Sequence, residues 1–274
     1  METKTINHLG TVRASSLPEL LDCGFRWYAK NELRLRLPSS PPAHMGQALH
    51  AGTAAYDQAR LEGQAVKPDD AAGVFVDHLH RPPEDVEWGD SSPKKLEPIG
   101  LRVLTHYCTD LAPQRTYEAV ELRCEALDVV TEYGTVRLTG TTDRIRRTAD
   151  GRRGISDLKT GARAVGTDGR AVTKGHGLQM GIYSLLAEQA SGQAMDDAAE
   201  IVGLQTTQQA RVGVGRIEDV RTPLVGTPNE PGIIDLAAQT LNAGLFIPNP
   251  RSNLCNPKYC PARRENGGPC HWHE

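Results

Sequence analysis

Two strand-like stretches separated by an Asp-Gly pair constrain the fold of this chain more than any other feature. Apolar residues alternate or run together over residues 135–145 and 154–158, as they do in β-strands. Between them, Asp150-Gly151 is typical of the type I′ turn of a β-hairpin. The sequence therefore predicts two antiparallel strands that lie side by side, one carrying Asp143 and the other Asp157.

The two aspartates bring acidic oxygens to neighbouring strands. Side chains alternate along a strand, so we expect Asp157 and Lys159 to share one face while Leu158 enters the core. Two carboxylates, the backbone carbonyl of Leu158 and a nearby ammonium suit a hard divalent cation and an attacking water. An isolated Asp-x-Lys is more often a solvated strand face or an ion pair. Taken together, the residues predict metal-assisted hydrolysis of a phosphodiester.

Three motifs together carry a family resemblance, namely Gly140-x-x-Asp143, Asp157-x-Lys159-Thr-Gly161 and Gln179-x-x-x-Tyr183. The third lies on a helix predicted over residues 174–190, where two side chains four positions apart share a face. The set resembles the PD-(D/E)XK nuclease superfamily, and within it the RecB-type exonucleases that include CRISPR-associated members. The resemblance covers residues 20–270.

The resemblance implies a fold and a set of roles. The fold is α/β, with a mixed central sheet flanked by helices, an N-terminal helical insert and a C-terminal cysteine-rich tail. The implied catalytic residues are Asp143, Asp157, Lys159, Gln179 and Tyr183. Lys159 would orient or deprotonate water, and the Gln-Tyr pair would position the scissile phosphate. Without the resemblance, that pair is the polar rim of a packed helix.

A histidine on a helix predicted over residues 43–62 extends the metal site. The segment Gly46-Gln-Ala-Leu49-His50 is similar to the Gly-x-x-Leu-His element of the RecB-type enzymes. The resemblance implies that His50 joins the two aspartates and the carbonyl of Leu158 around Mg²⁺ or Mn²⁺. Taken alone, His50 is more often an ordinary half-buried histidine.

A glutamate with an open role precedes these motifs. Glu121 lies on a strand predicted over residues 117–127, and RecB-type proteins often carry a glutamate on the strand before Gly-x-x-Asp. The sequence alone allows Glu121 to contact the metal or to pair with a basic neighbour.

The six cysteines suggest a second site. Three of them lie in a segment rich in Pro and Gly, too irregular to need cysteines for packing: Cys255, Cys260 and Cys270. Disulfides are unexpected in a cytosolic protein, and Cys23, on a helix predicted over residues 15–30, would bring the set to four. Four thiolates hold either zinc or an iron–sulfur cluster. Cys108 and Cys124 are expected to be buried core thiols.

The resemblance favours a 4Fe–4S cluster, because related nucleases join one N-terminal to three C-terminal cysteines. The intervals of Cys-x4-Cys-x9-Cys are wider than the pattern we associate with those enzymes. Structural zinc therefore stays as the alternative, with His271 and His273 as substitutes for a thiolate.

Length and composition indicate one nuclease domain over residues 1–274. With 38% hydrophobic residues the chain can bury one sizeable core. Its first part, residues 1–112, is helical and carries Cys23 and His50. The second part, residues 113–222, holds the catalytic sheet and the Gln-x-x-x-Tyr helix. The third part, residues 223–274, holds the last helix and the cysteine cluster. No apolar run reaches membrane-spanning length and no signal-peptide core is present, so we expect a soluble, cytoplasmic protein.

Charge is unevenly distributed, although the net charge is only −3. Residues 144–174 hold nine Lys or Arg and three Asp, whereas residues 62–97 are acidic. The basic block is expected to surround the site and to hold a polyanion, with a solvated loop as the plain alternative. Arg26 and Lys30 either contact DNA or are ordinary exposed helix charges.

These observations predict a divalent-metal-dependent DNA exonuclease that acts on ends or on single strands. A sequence-specific endonuclease is the enzymatic alternative, and a DNA-end or partner-binding module with little turnover is an alternative of another class. A protein partner in recombination or CRISPR adaptation also fits the resemblance. Cleavage polarity, the choice between DNA and RNA, and the pathway stay open.

Overall fold

The computed structural model describes residues 8–272, which form a mixed α/β fold. A five-stranded sheet has the order β2-β5-β6-β7-β8, and a three-stranded sheet has the order β1-β4-β3. The strands are β1 His8–Arg13, β2 Thr116–Arg123, β3 Leu127–Thr131, β4 Gly134–Thr139, β5 Thr141–Arg147, β6 Arg153–Gly161, β7 Ala199–Gln205 and β8 Val212–Ile217, followed by the short pair β9 Gly226–Thr227 and β10 Glu230–Pro231. In the larger sheet β6 and β7 are parallel and the other neighbours antiparallel. The predicted mixed central sheet is confirmed.

Helices flank the sheet on both sides. They are α1 Leu17–Asp22, α2 Gly24–Asn31, α3 Pro41–Leu61, α4 Pro68–His80, α5 Pro93–His106, α6 Gly177–Ser191, α7 Thr222–Val225 and α8 Ile233–Ala243. The last turn of α5 continues as a π-helical turn, Tyr107–Leu111. Several begin at proline, whose fixed φ suits the first helical turn, and Ser40 and Ser92 accept hydrogen bonds from the starts of α3 and α5. Within residues 8–272, no helix has the length and apolarity to cross a membrane.

Two hydrophobic clusters cover opposite faces of the five-stranded sheet. Ile201 belongs to the cluster that α6 and α8 bury, and its neighbour Val202 belongs to the cluster under α3, α4 and α5. Leu158 is paired with Val202 and enters the second cluster, whereas Asp157 is paired with Ile201 on the α6 face. The predicted alternation around Leu158 is therefore confirmed, and it places the D-x-K side chains under α6.

The hairpin between β5 and β6 forms at the predicted place with a different turn. Gly151 has φ +82°, but Asp150 is not among the non-glycine residues with positive φ. A type I′ turn needs positive φ at both central residues, so the expected turn type is wrong. Instead, the backbone N–H of Gly151 donates to the carbonyl of Thr148, and Thr148 pairs with Arg152 across a three-residue loop.

Two predicted elements are interrupted where the chain must change direction. The expected helix over residues 15–30 breaks at Cys23, which has an extended backbone, because residues 246–249 pack against the start of α2. The expected strand over residues 135–145 breaks at Gly140, where a Cβ would lie 2.8 Å from the Tyr183 ring. The chain passes there from one sheet to the other, so β4 and β5 are separate strands.

Several other bounds differ by a few residues. Strand β2 ends at Arg123, short of the predicted residue 127. Strand β1 was missed, because only Val12 in it is fully buried and the six residues give a weak apolar pattern. It pairs in parallel with β4 and completes the smaller sheet.

The basic block does not present its whole charge to solvent. Of its nine Lys and Arg, five form ion pairs within the chain and Arg146 is buried; the five are Arg144, Arg147, Arg152, Arg153 and Lys159. Arg26 is also buried, 2.7 Å from Glu19, where we had considered a DNA contact. Less of the block is available to a polyanion than its charge count suggests, because Arg144, Arg147 and Arg153 pair with Asp57 or Glu118 from distant segments.

Candidate functional site

A chain of four polar side chains links β6 to α6. The ammonium of Lys159 lies 2.6 Å from a carboxylate oxygen of Asp157 and donates to Gln179 Oε1 at 2.9 Å. The Nε2 amide of Gln179 then donates to the hydroxyl of Tyr183 at 3.0 Å. Asp157 is 1% exposed, and Gln179 and Tyr183 are buried. The structure thus brings the D-x-K strand and the Q-x-x-x-Y helix into one hydrogen-bonded group.

The second aspartate approaches the same group from β5. Asp143 Oδ2 accepts a hydrogen bond from the backbone N–H of Leu158 at 2.7 Å, which turns its carboxylate towards β6. On α3, His50 Nδ1 lies 3.6 Å from the same oxygen. Three elements therefore converge on Asp143, and the backbone of Leu158 lies between the two aspartates.

Glu121 completes this convergence from β2. It lies between the Val120–Arg144 and Leu122–Thr142 pairs, opposite Asp143, and has φ +48°, uncommon for a side chain other than glycine. Ligand atoms of His50, Glu121 and Asp143 lie within 4.8 Å of one another. This backbone conformation aims a carboxylate at the site, and no sequence pattern signals it. The structure thus places Glu121, whose role the sequence left open, beside the expected ligands.

The pKa values reflect how closely these groups are packed. Burial raises the pKa of Asp157, the Asp143 charge raises it further, and Lys159 opposes both. Burial also raises the pKa of Glu121, with Asp143 adding to the effect. Burial lowers the pKa of His50, which favours the neutral imidazole that metals bind. Carboxylates held close together without a cation repel one another, so the arrangement favours binding a cation.

A buried arginine behind the site was missed by the sequence analysis. Arg144 is 0% exposed and its Nε lies 2.7 Å from Asp57 Oδ2 on α3. The same guanidinium donates to the backbone carbonyl of Asp143 at 2.7 Å and to Glu121 Oε1 at 3.2 Å. It therefore fixes two of the converging acids, and Tyr107 donates to the same Asp57 carboxylate. The partners are distant in sequence, so no local pattern reveals them.

A model of the PD-(D/E)XK nuclease superfamily matches residues 11–264. The chain belongs to this superfamily. The match spans nearly the whole chain, including the strands and helices that carry the converging residues. PD-(D/E)XK nucleases hydrolyse their substrates with divalent metals, and the His50, Glu121 and Asp143 cluster of this chain is a candidate metal site.

One solved structure supports the fold of this nuclease. A crystal structure from Eubacterium rectale, provisionally named an exonuclease, is 12% identical, with a TM-score of 0.50, over 89% of this chain and 86% of that one. A crystal structure of SSO0001 is 16% identical over 87% of this chain and 78% of that one, with a TM-score of 0.38. A comparison with curated proteins found no significant match.

The four cysteines that we predict to share one site line a single cavity in this PD-(D/E)XK chain. Cys23 comes from the break between α1 and α2, and Cys255, Cys260 and Cys270 come from the tail. Asn249 donates its backbone N–H to Cys23 Sγ at 3.4 Å. Burial raises the pKa of the Cys260 thiol, the nearby Arg26 lowers it, and Cys23 and Cys270 raise it. The structure brings together thiols from two distant segments, with an N–H donor and a cation beside them.

The spacing of these thiols bears on what they could hold. Within residues 8–272, no three of them lie within 4.8 Å of one another. Zinc–sulfur bonds of about 2.3 Å in a tetrahedron place thiolates about 3.8 Å apart. His271 is exposed, its ring contacts that of Trp272 at a tilt, and it does not line the cavity. His273 lies outside the described residues. The thiols are therefore spread more widely than a single zinc ion requires.

The other two cysteines are separate from this cavity. Cys108 lies in the π-helical turn and Cys124 follows β2, and both are buried. Both match the expected core thiols.

Proposed function

We propose that this nuclease is a DNA exonuclease that requires Mg²⁺ or Mn²⁺ and acts on DNA ends or single strands. The observation that carries the proposal is the convergence of Asp143, Asp157 and Lys159 with His50 and Glu121 from two further elements. A retired nuclease site would not need a buried, mutually repelling pair of aspartates. This argues against a module that only binds DNA.

The donor set fits a hard divalent cation. Asp143, Asp157, the carbonyl of Leu158 and His50 would hold it, with Glu121 as a further carboxylate, and oxygen donors with one imidazole suit Mn²⁺ and Mg²⁺. The ion, when bound, would polarise the phosphate and favour deprotonation of water.

The chain's own residues would supply the remaining steps. Lys159, held between Asp157 and Gln179, would orient the attacking water as the ammonium, and would accept the proton of that water only after losing its own. Gln179, tied to the Tyr183 hydroxyl, would position the scissile phosphate beside it. A preorganised set of donors aimed at the developing charge is usually the largest contribution to such a rate.

We expect linear DNA to be degraded progressively and sealed double-stranded circles to be spared. No element within residues 8–272 resembles a recognition helix whose side chains could read a palindrome. End-labelled linear single- and double-stranded DNA and RNA are compared with closed circles, in Mg²⁺, Mn²⁺ or EDTA. Discrete, sequence-dependent fragments from a closed circle would instead support the endonuclease alternative.

Glu121→Gln is expected to raise the metal concentration needed for half-maximal cleavage by about tenfold or more, since even groups that only support ligands change metal affinity by that much. Mn²⁺ titrations of cleavage measure the midpoint. Glu125→Gln, an exposed glutamate just beyond the same strand, is the matched control. An unchanged midpoint in Glu121→Gln would remove Glu121 from the metal site.

We also propose that the tail cavity holds one 4Fe–4S cluster with a structural role. Four cysteines from two segments, an N–H donor to sulfur and thiols spaced wider than zinc needs support this assignment. A cytoplasmic location, where thiols stay reduced, is part of the same proposal. A partner in recombination or CRISPR adaptation stays a prediction.

A further inference from the structure

The loop between β6 and α6, residues 162–176, carries basic side chains that remain exposed. Most of those of the β5–β6 hairpin, in contrast, form ion pairs within the chain. Arg163, Arg170 and Lys174 are exposed, and no ion-pair partner lies near them in the part of the chain that the structure describes. The loop contains one acid, Asp168, which accepts from the backbone N–H of Arg170 at 3.0 Å. The loop, which we call the basic loop, therefore presents a surplus of positive charge.

The backbone of the basic loop is folded back on itself. Val165 and Ala171 form an antiparallel bridge, and the N–H of Gly166 donates to the carbonyl of Arg170 at 2.8 Å. The N–H of Val172 donates to the carbonyl of Ala164 at 3.0 Å. These bonds fix the loop's shape before any ligand arrives.

Three glycines let this loop lie directly on the sheet. They are Gly203 on β7 and Gly213 and Gly215 on β8. A Cβ at these positions would lie 2.3, 2.4 and 2.6 Å from the backbone carbonyl oxygens of Ala164, Gly169 and Ala171, respectively. Contacts that short are not tolerated, so any larger residue would displace the loop. The loop is therefore held against a flat, glycine-lined part of the sheet.

The strand register places this loop beside the catalytic residues. Lys159 is paired with Gly203, and Gly203 with Gly213. In the next row on the same face, Asp157 is paired with Ile201, and Ile201 with Gly215. Paired residues on neighbouring strands project to the same side of a sheet. The basic loop thus covers the continuation of the rows that carry Asp157 and Lys159.

We propose that the basic loop is a preorganised binding site for the sugar–phosphate backbone of the substrate strand, next to the scissile phosphate. The proposal rests on the proposed nuclease function and deepens it. Residues 162–176 contain no Phe, Trp or Tyr, so the loop lacks an aromatic platform on which bases stack. Its contacts are therefore to phosphates and are independent of sequence.

The test measures binding apart from cleavage. The parent protein for all variants is Asp157→Asn, which is expected to bind DNA without cutting it. Its affinity for fluorescent single-stranded DNA of several sequences is measured over a range of salt concentrations. Adding Arg163→Ala, Arg170→Ala and Lys174→Ala together is expected to weaken binding on the order of a hundredfold at ~0.1 M salt. The slope of log K against log salt should fall by about two, as expected for three lost phosphate contacts to a single strand. The loss should be equal for all sequences.

A control with the same charge change separates the loop from general electrostatics. Lys67, Lys94 and Arg251 are exposed and outside the loop, and their triple alanine variant should keep the parent's affinity and slope. If the loop variant binds as tightly as the parent, the loop assignment is wrong while the proposed function stands. A parent that binds no DNA would instead overturn the proposed function.

A second variant tests the loop's position without removing charge. Gly213→Ala puts a Cβ against the carbonyl of Gly169 and should displace the loop. The expected result is weaker DNA binding in a protein whose circular dichroism spectrum shows that it is folded. A folded Gly213→Ala protein with the parent's affinity would contradict a preorganised loop. If Gly213→Ala does not fold, the triple alanine variant of the basic loop still tests the proposal.

Discussion

Asp157→Asn is expected to slow cleavage by a hundredfold or more while DNA binding survives. The carboxylate would be lost from the cation site and from its 2.6 Å contact with Lys159, and both act mainly in the transition state. Single-turnover cleavage with excess enzyme measures the chemical step, and anisotropy measures binding. Lys159→Ala should show the same separation of rate from affinity.

We also expect Asp157→Asn to affect the stability of the fold. Burial and Asp143 raise the pKa of Asp157, so the folded state disfavours its charged form at neutral pH in metal-free buffer. Removing that charge should leave the melting temperature unchanged or raise it. Asp128→Asn, an exposed carboxylate on β3, is the control and should cut normally. If Asp157→Asn or Lys159→Ala, purified free of contaminating host nucleases, cuts at the wild-type rate, the assigned site is wrong.

Cys270→Ser should release iron, expose the tail to protease and lower the melting temperature by about 10 °C or more. Around the proposed cluster the four cysteines would close a loop of over two hundred residues, and a cross-link of that length restricts the unfolded chain by roughly 5 kcal/mol in the chain-entropy treatment. In a domain of this size 1 kcal/mol corresponds to about 2–4 °C. Iron and acid-labile sulfide analysis, limited proteolysis and thermal melts measure the three effects.

The matched control is Cys124→Ser, a buried thiol that does not line the cavity. It should keep iron and an intact tail. Anaerobically purified wild-type protein should be brown, with iron and sulfide in near-equal amounts. A colourless protein with one tightly held zinc would contradict the cluster, although the tail would still be fastened to α1 and α2 by a metal.

The grouping of the three motifs at one candidate site could be predicted because each motif is local. The Asp-x-Lys spacing fixes which side chains share a strand face, and four positions on a helix fix that Gln179 and Tyr183 do as well. The order of strands β5 and β6 followed from one hairpin signal. These features depend on backbone periodicity, which a single sequence records directly.

The supporting residues could not be predicted because they depend on contacts between distant segments. Asp57 and Arg144 pair across 87 positions, and no local sequence pattern around either residue identifies its partner. The positive φ of Glu121 is likewise imposed by its neighbours in the fold. The same reason explains why the basic block exposes less positive charge than its composition suggests, since a count of charges along the chain does not reveal which carboxylates fold against them.

The break at Cys23 has a consequence for how the protein is made. Asp22 accepts from Asn249 Nδ2 at 2.9 Å and Asn249 donates to Cys23, so the first helices bind a segment synthesised more than two hundred residues later. At roughly 5–20 residues per second, translation of that interval takes tens of seconds. During this time the ribosome holds an N-terminal segment whose partner does not yet exist. The first cysteine emerges early and the acids of the candidate site emerge midway, so the contacts that join the tail to the first helices form last.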